Sequence, residues 1–113
     1  RDGKGILALG TPGSYGILQT QVQAMVGHVD FGLDIQAAIE MPRARLWDGK
    51  QIYLERRVPH SVCVELSARG HDVALLPNYS WRTGGMQAVS RDPDSGALAG
   101  AADSRRDGAV IPA

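Results

Sequence analysis

A single cysteine, Cys63, stands in the 113 residues, so the chain holds no internal disulfide and no cysteine-cluster metal site. It falls in a helical pattern beside Val62 and Val64 and reads as a small packed hydrophobe. Aromatic residues are scarce at 5%. A core built on large rings is thereby excluded, and alanines and 14 glycines must gain by close backbone approach, for modest stability. Neither sign of charge is in excess: 12 Lys and Arg balance 12 Asp and Glu. No net field then draws the chain to nucleic acid or to an acidic membrane surface. Apolar runs such as 5–10 and 73–76 are far too short to cross a bilayer. Residues 1–5 carry no apolar secretory segment and read as a turn feeding a strand, or as a boundary inside a longer protein. The length suits one domain or a piece of one.

The remaining pattern alternates strands and helices. Residues 6–9 form a short apolar strand, ended by Gly10. Pro12 fixes its φ and lacks an N–H, and Gly13 tolerates positive φ, so a sharp turn follows. Over residues 14–29, Leu18, Val22, Met25 and Val29 recur at steps of four, three and four, one face of a helix with a left-handed stop at Gly32. Asp34 caps a short second helix through Ile35, Ala38, Ile39 and Met41, which Pro42 ends. Strands 44–48 and 51–56 flank an Asp48-Gly49-Lys50 turn. Pro59 opens a third helix to Arg69, with Val58, Val62 and Leu66 on its face and Gly70 as its stop. Residues 72–76 are a strand, 77–83 a loop, and strands 86–91 and 97–102 close a hairpin around Asp92 to Gly96. The tail, 103–113, is charged and then irregular. Strands separated by helices and closed by a hairpin make a layered α+β domain.

Gly10-Thr11-Pro12-Gly13-Ser14 is the segment with chemical potential. Its glycines let the main chain approach a ligand, and amides at the start of the following helix lack helical partners. Amides aimed at one point form an anion or oxyanion site. A strand–turn–helix junction also needs glycines for sterics alone, and no lysine follows as a Walker phosphate loop requires. His28, His60 and His71 have no metal spacing: His28 is expected on the exposed side of the first helix and His71 in a turn. Asp92 and Asp94 read as a hairpin turn and lack the rest of a calcium loop. Arg105 and Arg106 with Asp103 and Asp107 read as a solvated charge cluster, with a buried structural ion pair to a neighbouring strand as the minority alternative. Tyr79 and Trp81 lie in a loop, for packing or a pocket.

Taken in order, these segments resemble the C-terminal part of the small, catalytic subunit of gamma-glutamyltranspeptidases. Gly10-Thr11-Pro12-Gly13-Ser14 corresponds to the family's Gly-Ser-Pro-Gly-Gly oxyanion turn. Asp30-Phe31-Gly32-Leu33-Asp34 and Met41-Pro42-Arg43 match its Asp-Phe/Tyr-Gly-Met-Asp and Ala-Pro-Arg segments. Leu66-Ser67-Ala68-Arg69-Gly70-His71-Asp72-Val73 resembles Leu-x-x-Arg-Gly-His-x-Val, and Gly84-Gly85-Met86-Gln87-Ala88-Val89 resembles Gly-x-x-Gln-x-Ile. Residues 101–109, Ala-Ala-Asp-Ser-Arg-Arg-Asp-Gly-Ala, resemble the closing Ala-Ser-Asp-Pro-Arg. Two departures stand out. Ser14 replaces a glycine, which keeps the amide but makes positive φ costly, and Ser104 replaces a proline.

The resemblance implies half of an α-β-β-α N-terminal-nucleophile hydrolase fold, with residues 1–113 as one C-terminal segment. The activity it implies is cleavage of gamma-glutamyl amides through a threonyl acyl-enzyme, with Gly13 and Ser14 shaping the oxyanion and substrate-binding turn. No catalytic residue is expected within the segment. Thr11, Thr20 and Thr83 are the only threonines, and the nucleophile, the tandem serines and the acidic pair of the family are expected upstream of Arg1. The substrate-clamping arginine belongs to the large subunit. The isolated chain is therefore expected to be inactive. No cofactor, metal, nucleic acid or membrane is expected. The expected partners are the upstream small subunit, the large subunit and gamma-glutamyl small molecules, and a lone copy is expected to form a homo-oligomer through open strand edges. Two other readings stay open: a non-catalytic α/β binding or assembly module, and an acylase of the same superfamily acting on another amide.

Overall fold

Two three-stranded sheets, linked through helices and a buried ionic junction, make up the computed structural model, which describes residues 6–112. The turn expected over residues 1–5 lies outside them. In chain order the elements are β1 (Leu7–Gly10), α1 (Gly16–Val29), α2 (Ile35–Glu40), β2 (Ala44–Leu46), β3 (Gln51–Glu55), α3 (His60–Ala68), β4 (Asp72–Leu76), a 3-10 turn (Trp81–Thr83), β5 (Gln87–Arg91) and β6 (Leu98–Ala102). The first sheet, ordered β1-β5-β6, is antiparallel throughout and pairs Leu9 with Ala88 and Ala88 with Ala101. In the second, β2-β3-β4, the β3–β4 pair is parallel because α3 supplies the crossover. Fold class is thus α+β, as the patterning predicts.

Local chemistry explains the boundaries. Asp34 caps α2 by accepting the Ala37 amide at 2.9 Å. Gly70 ends α3 at φ +91°. The strand expected over 44–48 stops at Leu46 because Trp47 and Asp48 already close the turn to Gln51, through Trp47 N–H to the Gln51 carbonyl and Gln51 N–H to the Asp48 carbonyl. Helix α1 begins at Gly16, two residues later than expected, because Ser14 is left-handed at φ +51°. Cys63 is buried on α3 with Ile52 and Leu54.

Leu18, Val22, Met25 and Val29 do share a face, but it is the exposed one, and Leu18 is 73% accessible. The inward stripe is Gly16, Thr20, Ala24 and Gly27. Distance sets this choice: a Cβ on Gly27 would stand 2.5 Å from the Met41 sulfur, and one on Gly16 3.3 Å from the Arg45 guanidinium. Only small residues allow α1 to lie this close to α2 and β2. The core beneath it gathers Ala24, Ile35, Ile39, Met86, Ala88 and Ala101, with Leu7 and Leu9 packed alongside.

The solvated cluster expected near residue 105 is also corrected. Arg106 and Asp107 are exposed, whereas Asp103 and Arg105 are buried. The Arg105 guanidinium grips Glu55 with two hydrogen bonds, Nε–Oε1 at 2.6 Å and Nη2–Oε2 at 2.7 Å, and reaches Asp103 at 3.0 Å. Arg43 completes the set by pairing with Asp103 at 2.7 Å. Backbone groups absorb the remaining valences: Arg105 donates to the Ile39 and Met41 carbonyls, and Arg43 to those of Ile39 and Thr83. Glu55 also accepts from the Arg43 and Ser80 amides, the Thr83 hydroxyl and Arg57. Glu55 lies 50 residues from Arg105 in sequence, which is why local charge patterning does not point to that pair.

Burial alone would raise the Glu55 carboxyl. Hydrogen bonds and charge from Arg105, with help from the Arg43 amide and Arg57, outweigh burial and hold it below the ordinary value of 4.5. A carboxyl depressed by folding contributes stability above its unfolded value and loses it as pH falls through the folded one. Urea titrations of a folded protein carrying this chain should therefore show stability falling below about pH 4.5, a dependence that Glu55→Gln blunts. Removing one partner strands a buried charge, so Arg105→Leu is expected to cost about 3–5 kcal/mol in the same assay.

Candidate functional site

The turn between β1 and α1 has the most unusual backbone of the described residues. Pro12 sets its entry, and Gly13 follows at φ +137° with Ser14 at φ +51°. A left-handed serine costs about 1–2 kcal/mol. The conformation bends the chain so that the Gly16 amide donates to the Gly13 carbonyl at 3.0 Å and the Ile17 amide to the Ser14 carbonyl at 2.9 Å. Those bonds close the helix start from within. Among the described residues the amides of Gly13, Ser14 and Tyr15 donate to nothing, and Ser14 and Tyr15 are open to solvent. Three adjacent donors at a helix N-terminus are suited to an anion or a developing oxyanion.

The turn is braced from one side. The Thr11 hydroxyl accepts the Gly85 amide at 3.0 Å and donates to the Pro12 carbonyl at 3.1 Å. Thr20, one turn into α1, donates to the Thr83 carbonyl at 2.9 Å. Both threonines press on Gly84, where a Cβ would meet the Thr11 oxygen at 2.7 Å and the Thr20 oxygen at 3.0 Å, at a φ of +102°. Thr83 in turn donates to Glu55 and accepts from Arg43. An unbroken set of contacts therefore runs from the buried ion pairs to the turn. Sequence reasoning missed Thr11, Thr20, Arg43 and Glu55 as supports. The only available signal was the Gly84-Gly85 pair, which marks a close approach of backbone.

The other candidates stay separate. His28 on α1 contacts the Leu33 carbonyl through Nδ1 at 2.7 Å, and is half-buried rather than exposed, because the chain folds back over it after Gly32. His60 begins α3, and His71 lies in the turn after α3 with a buried, unpartnered Nδ1. Asp92 serves its own hairpin: hydrogen bonds from the Ser95 amide and hydroxyl and the Asp94 amide hold its carboxyl below the ordinary value. Tyr79 stacks under Arg57, 3.7 Å from its ring centroid. Trp81 joins Arg45, Trp47, Tyr53 and Arg82 around a cleft of about 210 Å³, which adjoins Gly16 through Arg45.

The bracing predicts two mutational outcomes. Thr11→Val strands the Gly85 amide and is expected to cost about 1–3 kcal/mol. Gly84→Ala must both adopt positive φ and displace two threonines, so it should cost more than Thr11→Val. Denaturant melts of the two variants check the ranking.

The family model described as Gamma-glutamyltranspeptidase matches residues 1–113. The chain is 39% identical to an acylase ACY 1 proenzyme of Pseudomonas sp. (strain V22), over 98% of this chain and 19% of that protein. It is 32% identical to a glutathione hydrolase proenzyme of Bacillus subtilis (strain 168), over 98% of this chain and 18% of that protein. Among solved structures, the cephalosporin acylase from Bacillus halodurans superposes with a TM-score of 0.85 at 35% identity, over 91% of this chain and 19% of that one. The chain thus spans about a fifth of the length of the curated relatives it matches. The match over every residue, agreeing with the order of motifs and with the shape of the solved relative, shows that the chain belongs to the gamma-glutamyltranspeptidase family.

Proposed function

We propose that residues 1–113 form the C-terminal segment of the small subunit of a gamma-glutamyltranspeptidase-like N-terminal-nucleophile hydrolase, and that the Gly13–Ser14 turn donates main-chain hydrogen bonds to its oxyanion. The observation that carries the reading is the set of unspent amides at Gly13, Ser14 and Tyr15, held open at the start of α1. The upstream part of the small subunit, the large subunit and gamma-glutamyl small molecules are its partners.

In this reading a threonine hydroxyl from the upstream segment attacks the amide carbonyl, and the threonine α-amine takes the hydroxyl proton. Negative charge gathers on the carbonyl oxygen, opposite the turn amides. Collapse of the tetrahedral intermediate breaks the C–N bond, and the protonated α-amine returns its proton to the leaving amine. Water or a second amine then attacks the ester and regenerates threonine. The chain itself supplies no nucleophile. It supplies fixed dipoles, and their value depends on rigidity, which the Thr11 and Thr20 contacts provide.

A second reading keeps the turn and changes the acyl group. Identity to the acylase ACY 1 proenzyme, 39%, exceeds the 32% to the Bacillus subtilis glutathione hydrolase. That ordering favours an acylase on another amide. Comparing a gamma-glutamyl anilide with the same anilide of an acyl chain lacking the α-amino group separates the two, since only a gamma-glutamyl site gains from that ammonium.

The chain alone should not turn over a chromogenic gamma-glutamyl anilide, and turnover by the pure chain overturns the assignment of the nucleophile to another segment. In a full-length protein carrying this chain, Ser14→Gly should keep or raise kcat, because the amide acts and glycine relieves the left-handed strain. Ser14→Pro removes the donor and, with φ fixed at about −65° where this residue stands at +51°, also unmakes the turn, so it should cost at least about 10²–10³ in kcat. A folded Ser14→Gly variant that loses most activity would assign the role to the hydroxyl instead.

A further inference from the structure

The cleft beside α1 concentrates positive charge without an anion to match it. Arg45 on β2 stands across from Tyr53 on β3, and its guanidinium lies 5.0 Å from the Trp47 ring centroid. Arg45 Nη1 donates to the Arg82 carbonyl, while its Nε is buried and has no partner. Arg82 sits 5.7 Å from the Tyr53 centroid, and Arg106 6.0 Å from that of Trp81. Among the described residues none of these three guanidiniums meets a carboxylate. Elsewhere among the described residues Arg43, Arg57, Arg69 and Arg105 each pair with Asp or Glu, whereas Arg56 and Arg91 do not.

Arg45 and Arg82, the two cations that line the cleft, repel one another, and stacking on aromatic faces offsets part of that cost while fixing where they point. An arginine fork accepts a carboxylate with two parallel hydrogen bonds. The walls demand a second feature of the ligand. Trp47 and Tyr53 pack tilted against each other, 6.3 Å between centroids at 60°, and with Trp81 they give the cleft aromatic faces on which an apolar ring can stack. A cleft of about 210 Å³ has room for one small ring system.

We infer that the Arg45–Trp47–Tyr53–Trp81–Arg82 cleft binds a carboxylate carried on a planar ring. Its place next to Gly16, two residues beyond Ser14, makes it a subsite for the amine side of the amide. That last step rests on the proposed hydrolase, whereas the binding itself does not. The enzyme would then prefer leaving or accepting amines that carry an aromatic or heterocyclic carboxylate.

Two measurements test the inference. In the full chain, the indole Nε1–H resonances of Trp47 and Trp81, its only tryptophans, report on ligand; Trp47→Phe and Trp81→Phe assign them. Benzoate should shift both and bind at least tenfold more tightly than neutral benzamide. The gap should shrink several-fold in Arg82→Gln, whose side chain makes no hydrogen bond among the described residues, and also with added salt. Equal binding of the two probes, or indoles that benzoate does not move, overturns the inference. In the full-length enzyme, the ratio of kcat/KM for gamma-glutamyl-3-carboxy-4-nitroanilide over gamma-glutamyl-4-nitroanilide should fall about tenfold in Arg82→Gln. An unchanged ratio overturns the placement on the amine side. Failure of the unaltered enzyme to cleave either anilide counts against the hydrolase, and the benzoate titration still decides the cleft.

Discussion

The bidentate grip of Arg105 on Glu55 is the contact around which the described fold is organised. It joins the segment after β6 to the end of β3, and through Asp103 and Arg43 it draws in the connection between α2 and β2. Two sheets that share no strand pairing are thereby tied across one buried junction. A hydrophobic contact of equal size would bury more cheaply, since desolvating these ions costs several kcal/mol apiece. Geometry is what the ions add. Each carboxylate oxygen takes two or three donors and nearly every guanidinium nitrogen has a partner, so a shifted register leaves a charge unmatched. The Nε of Arg43 is the exception, buried and without a partner. Burial and the neighbouring Arg105 charge lower the Arg43 pKa against the pull of Asp103, so that residue is the least well compensated of the four.

Strain and support are linked by the same junction. Ser14 occupies a left-handed conformation that serine resists, and it can do so only where its surroundings over-determine the backbone. Thr11 and Thr20 meet across Gly84, and Thr83 connects that contact to Glu55 and Arg43. A side chain at Gly84 would separate the two threonines and release the turn. The absence of a Cβ there is thus as much part of the turn as the amides are. Rigidity matters because main-chain dipoles stabilise developing charge only when no reorganisation is needed to aim them.

What the sequence made legible divides along the range of the interaction. Elements governed by neighbours within a few residues are readable: the Asp34 cap, the Pro42 stop, the left-handed Gly32, Gly70 and Gly96, and the Asp92 hairpin all appear where turn chemistry places them. The turn at Gly13 and Ser14 is readable for the same reason. Contacts between distant segments are not. Glu55 looks like any strand-end acid and Arg43 like any residue after a proline, and nothing local says that they meet Asp103 and Arg105. The aromatic–arginine cleft was hidden likewise, since Arg45, Tyr53 and Arg82 come from three segments.

Helix α1 shows why periodicity identifies a helix without identifying its inner face. Large apolar residues at steps of four and three mark one side, and the usual inference puts that side against the core. Here the core side is chosen by distance. To let Gln23 bridge the Ala44 backbone, with its amide donating at 2.9 Å and its carbonyl accepting at 2.8 Å, and Gln19 do the same at Leu46, α1 must lie almost on β2. At that separation a leucine at position 16, 20, 24 or 27 would overlap its neighbours, so glycine, threonine and alanine win the inner face despite burying little area each. Leu18, Val22 and Val29 are left outside by elimination, with Met25 at the boundary. The glutamines at 19 and 23 are the hydrogen-bonding seam that sets the distance.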